Sequence, residues 1–227
     1  MALGCGSFET PSQRPSAMQG KPMGALENKI AIVRAMGELM ADHSLEEIRT
    51  VDICSEAKVS RQTFYRNFED KYAAAVWFME EGARHSVRQI GVTCGWRTGH
   101  RRLFAFLANN RCFVERFFQM RGGSAVGRTT VERALERNFI EHYREQYQIA
   151  SGHAPDSKVE FQIKAFAKMS IECIKEWQSA PTPDLSDDYI EAFLSAVPRD
   201  LYNALDIEDE PGGPPAMSLL VGAMTAT

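Results

Sequence analysis

Two stretches of helical character, Thr50 to Ala57 and Ser60 to Phe68, lie only two residues apart, with Lys58-Val59 between them. Neither can persist alone, because nucleating a helix is unfavourable and isolated helices below about a dozen residues are marginal in water. Both must rest on a larger neighbour. Upstream, Leu26, Ile30, Val33 and Met40, with Ile32, Met36 and Leu39 beside them, recur at helical spacing, so Ala25 to Ala41 is predicted as an amphipathic helix with one face to bury. The three segments make a compact unit. Ser60 is placed to cap the third helix, since its hydroxyl can accept from the free N–H groups of the turn that follows. Glu69-Asp70 breaks the pattern, and Lys71 opens a longer helix, Tyr72 to about Arg88, that joins this unit to the rest.

The remaining chain also reads as helical: Arg101 to Asn109, Arg111 to Met120, Thr129 to Ala150, Ser157 to Ser179, and Ser186 to Asp206, the last kinked or interrupted by Pro198. Gly122-Gly123, Gly152 to Pro155 and Pro181 to Pro183 punctuate these segments. Strand-like alternation is absent, so the fold class is all-α, in two domains. The helix-turn-helix unit takes 25–71 and a larger helical domain 72–206, between tails 1–24 and 207–227 that read as disordered. The last two helices carry apolar stripes, Val159, Ile163, Phe166, Met169, Ile174 and Trp177 on one, and Tyr189, Phe193, Ala196, Leu201 and Leu205 on the other. Such faces either pair with a second copy in a four-helix dimer interface or complete the chain's own core.

Composition narrows the function. A formal net charge of −4 excludes a protein that coats nucleic acid indiscriminately, because non-specific affinity comes from cations that neutralise phosphates. Any DNA binding must come from a local patch. Cys5, Cys54, Cys94, Cys112 and Cys173 are scattered, with neither a CxxC pair nor histidines at zinc spacing, so no metal site is expected and a reducing compartment fits. No stretch resembles a signal peptide or reaches the roughly 18 apolar residues that span a bilayer, so the expectation is a cytoplasmic protein with no membrane partner. Nucleophile-elbow, P-loop, dinucleotide-binding and HExxH patterns are missing, which argues against an enzyme and a cofactor.

The run Ile53-Cys54-Ser55-Glu56-Ala57-Lys58-Val59-Ser60-Arg61-Gln62-Thr63-Phe64-Tyr65-Arg66-Asn67-Phe68-Glu69-Asp70-Lys71 combines a short helix, a turn ending in Val-Ser, an aromatic pair before Asn-Phe, and a lysine three residues beyond that phenylalanine. It resembles the DNA-binding domain of the tetracycline-repressor (TetR) family. The Asp70-Lys71-Tyr72 that follows and the late Ile174 to Trp177 are similar to a subgroup associated with dihydroxyacetone kinase genes. The resemblance implies a homodimer on a palindromic double-stranded DNA operator, more readily a repressor than an activator, with a second domain that answers to a small-molecule effector.

Residue chemistry agrees with that assignment. Ser60, Arg61, Gln62 and Thr63 occupy the first turn of the third helix, where a helix end in the major groove meets base edges. Arginine can pair with guanine, glutamine with adenine, and the threonine methyl can touch thymine, so Arg61, Gln62 and Thr63 are the expected readers. Tyr65, Asn67 and Lys71 match family positions that hold the phosphodiester backbone, and Arg66 adds a cation to the same patch. Arg49 stands where the family often has Ser or Thr, and either supplies a phosphate contact or stays solvated beside Glu46 and Glu47. Phe64 and Phe68 read as core.

In the second domain, Trp96, His100, Phe104, Arg111, Phe117 and Tyr143 are candidate effector contacts, a mixture suited to an anionic or aromatic ligand. The same aromatics at helical spacing also fit a packed core, and the arginines a solvated face. Cys94 and Cys112, which flank the first helix of this domain, are candidates for a redox switch. The competing overall function is a protein-binding adaptor, or a partner-controlled activator, on the same fold.

Overall fold

The computed structural model describes residues 24–119 and 127–210, with the side chains of 127–132 left aside. The expected tails therefore fall outside the described residues up to residue 23 and from residue 211 onward, as does the Met120 end of one predicted helix. Ten α-helices and one 3₁₀ turn account for the described residues, and no strand occurs among them. Helices α1 (Ala25–Met40), α2 (Thr50–Glu56) and α3 (Arg61–Asn67) pack on one another, and α4 (Lys71–Arg84) leans against α1. Then follow α5 (Trp96–Asn109), α6 (Arg111–Gln119), α7 (Gly127–Ser151), α8 (Ser157–Ser179), α9 (Asp187–Leu194) and α10 (Arg199–Leu205).

The physical reason for the three-helix unit is visible in its burial. Ile32, Met36 and Met40 on α1, Ile53 on α2 and Phe64 on α3 are wholly removed from solvent, so each short helix contributes one face to a shared core. At about 25 cal/mol per Å² of apolar surface, this burial replaces the stability that seven-residue helices lack on their own. That core runs on without interruption into the larger domain through Phe78, Phe106 and Phe113. Helix α6 also touches α1, where the Cys112 Sγ donates to the Met40 carbonyl at 3.4 Å.

The end of α4 and the start of α5 differ from the sequence expectation. The fourth helix stops at Arg84 rather than Arg88, because the Ser86 hydroxyl donates to the Gly82 carbonyl at 2.6 Å and the chain tightens into the 3₁₀ turn Val87–Gln89. Helix α5 begins at Trp96 rather than Arg101. Gly99 sits inside it because α5 crosses Ile90 so closely that a Cβ there would lie 2.4 Å from that side chain. The last segment is interrupted rather than kinked, the outcome expected as one of two at Pro198, which stands as the N-cap of α10.

Residues Ile207–Glu210, expected in a disordered tail, instead return to α5. The Asp209 carboxylate accepts from the Gly95 N–H at 3.0 Å and from the Thr98 hydroxyl at 2.6 Å, capping a helix whose own N-cap residue, Gly95, has no side chain to do so. Side-chain volume at residue 95 would bar this approach, because a Cβ would fall 2.6 Å from the Ile207 carbonyl oxygen.

The apolar stripes of α8 and of α9–α10 face inward. Val159, Ile163, Phe166, Ile174, Trp177, Phe193, Leu201 and Leu205 are buried within the protomer, while Met169 and Tyr189 are half-buried and Ala196 is exposed. Those stripes complete the chain's own core.

Candidate nucleic-acid interface

Helix α2 ends in a tight turn at Lys58, which adopts φ 54°. Its N–H donates to the Ser55 carbonyl at 3.2 Å, and the next N–H, of Val59, donates to the Cys54 carbonyl at 3.0 Å. This pair of bonds is the Schellman arrangement, whose left-handed residue is usually glycine. The chain then extends through Ser60, whose Oγ accepts from the Thr63 N–H at 3.0 Å and shares a hydrogen bond with the Thr63 hydroxyl at 2.9 Å. The expected cap is therefore in place.

Phe64 and Phe68 fasten α3 from behind, with ring centroids 6.2 Å apart and Phe68 5.7 Å from Trp77. The Lys29 ammonium lies over both Phe68 and Trp77, at 5.4 and 5.2 Å. That double cation–π contact, unforeseen from the sequence, ties α1 to the far end of α3 and to α4. With residues 64 and 68 inward, helical geometry turns 61, 62, 65 and 66 outward. The side chains of Arg61, Gln62, Tyr65 and Arg66 are all exposed and make no hydrogen bond or ion pair among the described residues, although the Tyr65 ring rests edge-on against Phe64 at 5.4 Å. They form one outward face of guanidinium, amide and phenol groups.

The other candidates are engaged. Thr63 is half-buried with its hydroxyl on Ser60, and the Asn67 amide donates back to the Thr63 carbonyl at 2.8 Å. Arg49 points outward, its side chain 76% exposed, and grips Asp52 through two bonds of 2.8 Å rather than lying beside Glu46 and Glu47. Those hydrogen bonds hold the Asp52 carboxyl below its ordinary range. An exposed pair of this kind exchanges readily with water, so the guanidinium stays free to turn toward another anion. The Lys71 ammonium donates to the carbonyl oxygens of Glu46 at 3.0 Å and Ile48 at 2.7 Å, and burial lowers its pKa from the usual lysine value.

The candidate effector residues occupy the centre of the larger domain. Trp96, His100, Phe104, Phe117 and Tyr143 are each 2% exposed or less. The Trp96 ring stacks with His100 at 5.8 Å and with Tyr143 at 5.6 Å, while Phe104 meets Trp177 at 5.1 Å. Burial keeps His100 and His142 neutral, with pKa values lowered to about 4. Arg111 does not join this cluster, donating instead to the Ala180 and Pro181 carbonyls at the end of α8. Cys94 is fully buried just before the 14-residue α5, and Cys112 is exposed on α6, beyond the far end of α5. About 21 Å of helix separates them, far beyond the roughly 7 Å Cα limit of a disulfide, so they cannot pair within one protomer.

The all-helical fold and the exposed face of α3 define a chain with a helix-turn-helix at its N-terminal end. No family model matches it. The HTH-type dhaKLM operon transcriptional activator DhaS of Lactococcus lactis subsp. lactis (strain IL1403) is 28% identical over 87 residues, which cover 38% of this chain and 46% of that relative. The match thus spans less than half of the relative's length. Among solved structures, one described as the dihydroxyacetone kinase operon activator DhaS aligns over 81% of this chain and 100% of its own, with a TM-score of 0.54 and 18% identity. That similarity supports the helical fold, and both names belong to transcription regulators rather than enzymes.

Proposed function

We propose that the protein is a sequence-specific, DNA-binding transcriptional regulator of the TetR kind. The observation that carries the reading is the outward face of α3, where the polar groups of Arg61, Gln62, Tyr65 and Arg66 stand exposed with no hydrogen bond or ion pair among the described residues, on a helix held by the Ser60 cap and the Phe64–Phe68 anchor. Arg61, Gln62 and Thr63 read bases, while Tyr65, Arg66 and a re-aimed Arg49 hold phosphates. So few cations on a chain of net charge −4 bind tightly only when duplicated. We therefore assign a homodimer on a palindrome whose half-sites lie one or more helical turns apart.

Activation is favoured over the repression that the family resemblance implies, because both relatives carry the name activator. Control by a partner protein gains support over a small-molecule effector, since Trp96, His100, Phe104 and Tyr143 are packed against neighbouring rings. Selection of bound duplexes from a random-sequence pool tests the reading. Enrichment of one palindromic motif supports it, and recovery of no motif above background contradicts it.

A further inference from the structure

Lys71 resembles a family position that grips the DNA backbone, yet its ammonium is already committed inside the protein. It stands at the first position of α4, three residues after Phe68 closes α3. Its two acceptors, the carbonyls of Glu46 and Ile48, belong to the segment that leads into α2, 25 and 23 residues earlier in the chain. That segment is a tight turn, in which the Glu47 and Ile48 N–H groups both donate to the Ser44 carbonyl. The Glu47 carboxylate in turn accepts from the Ser44 N–H and hydroxyl. On the α4 side, the Asp70 carboxylate caps the helix by accepting from Ala73 N–H at 2.7 Å. Both surfaces that Lys71 joins thus carry hydrogen bonds of their own, independent of the lysine.

We infer that Lys71 is a positioning residue, a clasp that ties the start of the helix-turn-helix at Ile48 to its end at Lys71 and so fixes the angle at which α3 is presented. The inference rests on the DNA-binding reading and changes the role of one residue within it. Two short charge-assisted bonds to carbonyls leave the ammonium little to gain from a phosphate, because a phosphate would draw it out of a half-buried site. The clasp acts on geometry, and geometry matters most for base readout. A phosphate needs only a nearby cation, whereas a bidentate base contact needs α3 at the right depth and tilt.

The test uses the full chain, its Lys71→Met variant, a duplex selected by the wild-type protein, and a scrambled duplex of equal length. A positioning role predicts that Lys71→Met loses tenfold or more on the selected duplex and little on the scrambled one. The slope of log affinity against log salt should match wild type. Equal losses on both duplexes, with a slope shallower by about 1.8 for the dimer (about 0.9 for each protomer's lysine), would mean a direct phosphate contact and overturn the inference. Equal losses with an unchanged slope would mean only a smaller folded fraction and overturn it too. Should Lys71→Met fail to fold, nitrogen-15 NMR of the wild-type Lys71 ammonium decides the matter. Protons protected from exchange in the DNA-free protein, and unaltered by the selected duplex, support the clasp, while protection gained only with DNA refutes it. If wild type binds neither duplex, the DNA-binding reading fails while the DNA-free NMR result still stands or falls alone.

Discussion

Lys58→Gly should make the protein more stable, the reverse of what glycine does at most positions. Lys58 holds φ 54° in the turn between α2 and α3, a conformation in which a Cβ crowds the following carbonyl and costs roughly 1–2 kcal/mol. Glycine avoids that cost but gives up about 0.5–1 kcal/mol through the greater freedom of the unfolded chain. The two hydrogen bonds that close the turn are backbone bonds, from Lys58 and Val59 to Ser55 and Cys54, and survive the substitution. The balance is a gain of about 0.5–1 kcal/mol, or roughly 1–4 °C in melting temperature for a chain of this size. Because the change also removes a charge, Lys58→Ala is the proper reference: it discards the ammonium and keeps the Cβ. Calorimetric melts of the two variants at equal concentration give the difference directly. A Lys58→Gly protein that melts at or below Lys58→Ala would refute the reasoning about the turn.

Arg61→Ala and Gln62→Ala should each weaken binding of the dimer to the selected duplex by about 2–6 kcal/mol, about 1–3 for each half-site, while leaving the melting temperature within a degree or so of wild type, as competition titrations and melts will show. Asp209→Ala removes the cap supplied to α5 and should cost about 1 kcal/mol, with faster amide exchange at Gly95; unchanged exchange there would contradict the cap. His100 and His142 titrate near 4 when folded against 6.5 when free, with burial the chief cause. Between those values the unfolded chain binds protons that the folded chain refuses, so stability is full above pH 6.5 and declines as pH falls toward 4. His142→Asn should flatten that decline in urea midpoints measured from pH 7.5 to 5, and an identical slope would count against it.

Much of the helix-turn-helix was legible because local rules govern it. The polar Ser60 before an amphipathic turn announced its own cap, and the spacing of Phe64 and Phe68 announced which face is core. What the sequence could not show are partnerships across long separations. Lys71 reads as a free cation until the fold brings the Glu46 and Ile48 carbonyls to it, and Asp209 reads as part of a loose tail until α5 presents an uncapped N-terminus. Arg49 and Asp52, by contrast, are three residues apart on a helix start, a pairing that i,i+3 spacing made available. The aromatic residues of the larger domain carried an ambiguity that periodicity cannot resolve, since a ring at helical spacing suits a core and a ligand site alike. What the fold adds is the close packing of these rings around Trp96, 5.8 Å from His100 and 5.6 Å from Tyr143.

The central claim is that the first turn of α3 reads base edges. Its most direct test is to select duplexes from one random-sequence pool with wild type and with Arg61→Ala in parallel. The account predicts that both recover the same palindrome, with preference erased at one position in each half-site for the variant and retained elsewhere. Identical base preferences at every position would contradict it, because the exposed guanidinium on the first turn of α3 would then contribute nothing to the sequence that the protein chooses.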